Sequence, residues 1–359
     1  MASTLTIWYL FLGGAGGGAV FLLVLLDLIS PQGSLVCVAV RPNRALRMVG
    51  VSSSVSANTS IDINKHTNIG MGMGTSMGTS VGNGVRRIPR LVLRYQPQTA
   101  WRPLFAFGFT TALIALALAT CCLIFDLGRI DQAFSLFTHP RPTHLTIGAF
   151  ALVALLATTG FLALIWGLHF RPVPRPLVRT LQAVALVTAF MVMLYTGLLF
   201  QSIGTGLLLG SWLIPVLFVL SSLATGIALL LIAAFLSGTL FGFRSTILRL
   251  LRLDLALITT ELLAIFALFL LATPTDSVIQ TVDALLAGAY ALPFWTGFVF
   301  CGLALPLTLE AFMQLRQSIA GSLTIFIALS VLVGGYCLRW TLIGAGFPIF
   351  APAVGMGAL

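Results

Sequence analysis

Apolar residues run along this chain in blocks too long for a soluble core, separated by polar connections that are mostly short. Eight such blocks stand at about 7–29, 103–125, 145–168, 178–200, 212–236, 254–272, 285–309 and 318–343. At 1.5 Å per helical residue each can cross a hydrocarbon core about 30 Å thick. The pattern predicts an all-α membrane protein with eight transmembrane helices. Short connections make consecutive helices antiparallel neighbours.

One connection breaks the rhythm. Residues 31–102 divide the first span (1–30) from the remaining seven (103–346), with a short tail at 347–359. The middle of this connection is rich in Ser, Gly, Asn, Thr and Met without helix or strand period, which predicts a disordered cytoplasmic linker. It ends in a basic stretch, Arg86, Arg87, Arg90, Arg94 and Arg102, suited to anionic headgroups. Pro293 and Pro306 fall inside the seventh block and predict a kink there.

Composition then narrows the class. Residues are 58% hydrophobic and only 8% charged, against about 25% charged in soluble domains. The net charge of +10 would suit nucleic acid if it were clustered on a soluble face, but it follows the membrane instead. With the N-terminus placed outside, sixteen Lys and Arg fall on inner connections and two, Arg129 and Arg141, on outer ones. That asymmetry predicts both termini outside. No basic residue precedes the first block and no cleavage site closes it, so a cleaved signal peptide is not expected. Five cysteines show no ligand spacing, so no iron–sulfur cluster or metal site is expected. Four histidines include no intramembrane pair to ligate a haem.

The first block opens WYLFLGGAGGGAVF, with five glycines in six positions. Such a density is unfavourable in a helix unless close packing or a ligand requires it. Gly13 and Gly17, and again Gly14 and Gly18, stand four apart, giving one nearly bare face. Gly14 and Gly17 are therefore candidates for one wall of a cleft.

Ionisable groups inside spans are few and unfavourable, at about 2.5–3.5 kcal/mol each near the midplane. Glu261 lies about two turns into the sixth block, with Asp254 seven residues earlier on nearly the same face. Asp27 and Glu310 stand at inner ends of spans one and seven. These four are candidates for a proton relay through the inner half, or, for all but Glu261, for helix ends meeting headgroups. On the outer side, Asp126, Arg129 and His144 flank the connection between spans two and three. Arg339, near the end of span eight, is expected close to the same surface, with Trp8, Tyr9, Gln201, Trp212, Tyr290 and Trp340 at similar depth. That set reads either as an interfacial aromatic belt or as a ring carrying a ligand with two carbonyls.

Several stretches resemble the NrfD/PsrC family of membrane subunits of polysulfide-reductase-type oxidoreductases. They are the glycine-rich opening, DLGR at Asp126–Arg129, THLTIGAF at Thr143–Phe150, YTGLLFQS at Tyr195–Ser202, the sixth-span glutamate, and LRWTLIGAG at Leu338–Gly346. The resemblance covers about 1–30 and 100–346. It departs from the family at Ile130, where a proline often follows DLGR, and in the short MASTLTI segment before span one.

The resemblance implies two four-helix bundles in the bacterial inner membrane and no haem. It also implies a menaquinone or ubiquinone site, with the quinone as substrate, near the periplasmic face. A four-cluster ferredoxin-like iron–sulfur subunit would dock outside, joined by a molybdopterin catalytic subunit. Tyr9, Gly14, Gly17, Asp126, Arg129, His144 and Arg339 would then contact the quinone, and Glu261, Asp254, Asp27 and Glu310 would relay protons. The protein is not expected to be catalytic alone. Two other readings are a purely structural anchor and, more remotely, a secondary transporter coupled through Glu261.

Overall fold

The computed structural model describes residues 4–29, 33–40, 90–97, 101–126, 144–167, 173–203, 211–271, 276–316 and 319–346. Eight helices in it are long and apolar enough to cross a membrane. They begin with α1 (Thr4–Ile29), α2 (Arg102–Asp126), α3 (His144–Gly167), α4 (Arg175–Ile203), α5 (Leu213–Leu236) and α6 (Arg244–Leu271). A short helix α7 (Asp276–Leu286) follows. The seventh span starts as a π-helix (Pro293–Ala304) and continues as α8 (Leu305–Arg316), and α9 (Gly321–Gly346) is the eighth.

Two boundaries differ from the hydropathy blocks for physical reasons. Helix α6 begins ten residues earlier than its apolar block, because the arginine-bearing segment before Asp254 keeps a buried stripe of Ile247, Leu250 and Leu251. The seventh span begins at Pro293 rather than near 285, because the residues before it form the amphipathic α7, whose Val278 and Leu285 are buried. The predicted prolines bracket an unusual element. Pro293 opens the π segment, and the Leu305 N–H at its close reaches back five residues to the Phe300 carbonyl. Such wide turns concentrate at functional or strained places in helices.

The connection after α1 is not featureless at its ends. Strand β1 (Gly33–Val40) pairs antiparallel with β2 (Arg90–Pro97), which also meets the two-residue β3 (Val173–Pro174) before α4. Alternating valines in GSLVCVAV, and Val92 with Tyr95 in RLVLRYQP, favour extended pairing. The sequence between the first two strands, His66 included, lies outside the described residues, as does the 347–359 tail.

Helix α1 stands at the centre. It packs against α2, α4 and α5, while α5 also meets α4, α6 and α9. Helix α3 bridges α2 and α4; α6 packs on α8, and the π segment on α9. The glycine run explains how one helix serves so many neighbours. A Cβ on Gly16 would press on Leu116 of α2, and one on Gly17 would touch Ala189 and Met193 of α4 at ordinary distances. At Gly18 a Cβ would collide with the Ser222 carbonyl of α5, and at Gly226 with the backbone of Gly18 and Ala19. The α1–α5 crossing is therefore a backbone-to-backbone approach, which lipid-embedded helices achieve with small residues.

Candidate functional site

The predicted candidates separate into three groups at different depths. The first lies at the end of the bundle shared by the start of α1 and the end of α2. Thr6 Oγ1 donates to Asp126 Oδ2 at 2.8 Å. Tyr9, one turn further along α1, is buried at 3% exposure, hydrogen-bonds Tyr195 of α4, and feels the Asp126 charge. Three helices thus bring two phenols, a threonine and a carboxylate together. Gly148 of α3 completes the enclosure, since a Cβ there would strike the Tyr195 ring. Arg129 and the His144 side chain lie outside the described residues.

Arg339 belongs to a second group, packed inside the bundle beyond the Asp126 end. Seven residues before the end of α9, it is fully buried with 0% exposure. Its Nη1 donates to Gly335 O at 2.8 Å and Ser221 Oγ at 3.3 Å, and its Nη2 to Ser222 Oγ at 3.0 Å. The Phe218 and Phe11 rings lie 5.4 Å and 5.7 Å from its guanidinium carbon, within cation–π range. Glu261 of α6 supplies the opposite charge, and Ser221 hydrogen-bonds it as well. A serine hydroxyl can accept from the guanidinium while donating to the carboxylate, so Ser221 links the two charges. Arg339 Nε has no protein partner among the described residues.

This arrangement also revises the glycine face. A Cβ on Gly14 would lie 2.6 Å from Ser222 Oγ and 2.9 Å from Arg339 Nη2. The bare face at Gly14 and Gly18 is therefore closed by α5 and seats a guanidinium; it is not an open wall for a flat ligand. Gly17 looks toward α4 instead. Above the guanidinium, Trp8, Phe11, Tyr336 and Trp340 form an aromatic group, with Trp8 and Tyr336 centroids 4.6 Å apart. Trp8 and Trp340 remain 43% and 42% exposed, as residues of an interfacial belt do.

The third group is a pair. Asp254 of α6 and Glu310 of α8 are both fully buried and face one another. Neither carboxyl receives a hydrogen bond from a donor group among the described residues. Two buried carboxyl groups this close can hydrogen-bond each other only when one carries a proton. Seven residues, about two helical turns, separate Asp254 from Glu261 on the same buried stripe of α6. Glu310, Asp254, Glu261, Ser221 and Arg339 thus form a polar row across α8, α6, α5 and α9. Asp27 is engaged elsewhere: it is buried and accepts a hydrogen bond from Gln182 Nε2 of α4.

Sequence reasoning missed Tyr195, Ser221, Ser222 and Gln182. The signal was present in two places. Tyr195 begins the YTGLLFQS stretch, and Ser221–Ser222 interrupts an otherwise apolar run. A hydroxyl in a span is usually satisfied by its own helix, as Thr225 is by Ser221 O and Ser222 O, so the serines alone announce nothing.

Comparison with known proteins gives a consistent picture. The family model for polysulphide reductase, NrfD, matches residues 88–351, which covers α2 to α9 and leaves α1 outside. The C chain of polysulfide reductase from Wolinella succinogenes is 27% identical over 271 residues, covering 68% of the present sequence and 83% of that protein. The NrfD homolog of Haemophilus influenzae is 24% identical over 171 residues, or 47% of the present sequence. The match spans about half of that second relative, 53% of its length.

Proposed function

The chain belongs to the NrfD polysulphide reductase family, and on that premise we propose that it is the quinone-interacting membrane subunit of a respiratory oxidoreductase complex. In this reading it exchanges electrons between menaquinone or ubiquinone and an iron–sulfur partner docked at the outer face. A molybdopterin subunit completes the complex. The relative from Wolinella is named as one chain of a polysulfide reductase, which supports a multi-subunit setting.

The observation that carries the reading is the convergence of Thr6, Tyr9, Asp126 and Tyr195 at one end of the bundle. A quinone needs hydrogen-bond donors at its carbonyl oxygens, and a quinol needs an acceptor for each hydroxyl proton it releases. The phenol O–H not spent on the Tyr9–Tyr195 bond supplies a donor and Asp126 the acceptor, with both phenols buried. Arg129, three residues after Asp126, and His144, at the start of α3, extend this proposed headgroup set. The protein's own residues bind, orient and move protons; electrons pass to the partner's clusters.

The deeper row gives the reading its second half. Arg339 is already engaged with Ser221, Ser222 and Glu261, so its proposed role shifts from quinone contact to holding the Glu261 carboxyl. Glu261, Asp254 and Glu310 then form a proton path from mid-membrane toward the far ends of α6 and α8. Asp27, bonded to Gln182, is a separate entry point in this scheme.

The test is quinol-linked turnover of the purified complex carrying Tyr9→Phe or Asp126→Asn, together with quinone content of the extracted complex. Both variants are expected to lose turnover while the complex stays assembled. Wild-type turnover in both overturns the site. An assembled complex without quinone and without quinol-linked activity would favour a purely structural anchor.

A further inference from the structure

Three arginines crowd one end of α6. Arg244, Arg249 and Arg252 fall within its first nine residues, all three are exposed, and its first turn contains no acidic residue. No described carboxylate pairs with any of them. The nearest along the helix, Asp254, is turned away: Ile247, Leu251, Asp254, Ile258 and Glu261 follow the buried stripe. Arg249 and Arg252 share the opposite face with Leu253 and Ala256. Arg244, in the first turn, also opposes the helix macrodipole. The sequence therefore gathers unpaired, exposed positive charge at this end of the helix, complementary to an anion.

The surroundings say what kind of anion. Leu236 and Phe241, just before α6, are 59% and 69% exposed. From Leu253 an apolar track continues up the outward face through Ala256 to Leu263, which is 66% exposed. A small inorganic anion would meet only the guanidinium groups. A phospholipid meets both features: its phosphate accepts the forked guanidinium hydrogen bonds and its acyl tail lies along the track. We propose that the N-terminal end of α6 is a binding site for an anionic phospholipid, with Arg244, Arg249 and Arg252 holding the headgroup. The site is independent of the quinone reading and lies on the face of α6 away from Glu261.

The experiment uses the full-length protein purified in mild detergent and fluorescent phosphatidylglycerol in mixed micelles, with phosphatidylcholine and inorganic phosphate as comparison ligands. Phosphatidylglycerol is expected to bind at least about tenfold more tightly than phosphatidylcholine, given the contribution of each arginine near a charged headgroup. Binding should weaken with added salt. The triple substitution Arg244→Gln, Arg249→Gln, Arg252→Gln should reduce affinity by roughly tenfold or more, and the triple lysine variant should retain most of it. Equal binding of the two lipids, or unchanged affinity in the glutamine variant, overturns the proposal. Competition by inorganic phosphate as effective as by lipid overturns the lipid assignment in favour of a free anion. If the glutamine variant does not fold, the wild-type salt titration decides, and salt-insensitive binding sinks the idea.

Discussion

Arg339 fills the space that a side chain at position 14 would occupy: a Cβ on Gly14 would stand 2.9 Å from its Nη2. A glycine near the start of α1 and an arginine near the end of α9 are therefore two halves of one feature. The charge needs a partner within reach of Glu261 and the two serines, and only a helix without a side chain there leaves room.

Alanine substitutions along the glycine run should sort by this geometry. Gly18→Ala meets the Ser222 backbone and should destabilise most, beyond the roughly 1–3 kcal/mol usual for overpacking. Gly14→Ala should lose about 1–3 kcal/mol as Ser222 and Arg339 shift. Gly13→Ala, whose nearest neighbours lie 3.9 Å from the added carbon, should be neutral or gain up to about 1 kcal/mol from helix propensity. Thermal unfolding in detergent ranks the three, and an equal loss in all of them would contradict the packing account.

Removing one side of the Arg339–Glu261 link should be worse than removing both. Arg339→Ala leaves a buried carboxylate without its counter-charge and is expected to cost about 3–5 kcal/mol. The double variant Arg339→Ala with Glu261→Gln should recover part of that loss, a coupling of about 0.5–3 kcal/mol. Additive effects in the cycle would mean that Ser221 and Ser222, rather than Glu261, hold the guanidinium.

Asp254→Asn tests the carboxyl pair. An asparagine keeps the shape and brings an N–H donor to Glu310, so the folded protein should match or exceed wild-type stability. Asp254→Ala should instead lose about 1–3 kcal/mol by stranding Glu310. In the assembled complex, Asp254→Asn and Glu261→Gln should each lower the number of protons translocated per electron pair while quinol-linked turnover persists. An unchanged ratio in both would remove the row from the proton path.

Tyr195→Phe deletes one hydroxyl and leaves the ring that Gly148 accommodates. The expected result is a loss of quinol-linked activity comparable to Tyr9→Phe, with little change in melting temperature. A full loss of folding, or full activity, would show that the Tyr9–Tyr195 bond serves structure alone.

The polar row shows where sequence reading reaches its limit. Asp254 and Glu261 were legible as one face of one helix because helical spacing is local. Glu310 was identifiable as a buried acid, but its pairing with Asp254 depends on α8 meeting α6, which no spacing encodes. Arg339 was identifiable as a charge toward the end of its span, but its seat between the α5 serines and the Gly14 gap depends on how α1, α5 and α9 meet.

The sequence by itself determined the number of spans, the family and the short roster of buried ionisable residues. Each follows from the expense of polar groups in hydrocarbon, which leaves few and conspicuous exceptions. Tertiary structure alone decided the partners: which glycine faces which helix, that Arg339 reaches Glu261 through Ser221, and that Asp27 turns to Gln182. Helices that are apolar all round carry little information about their neighbours, so contact geometry becomes visible only once backbones have approached one another.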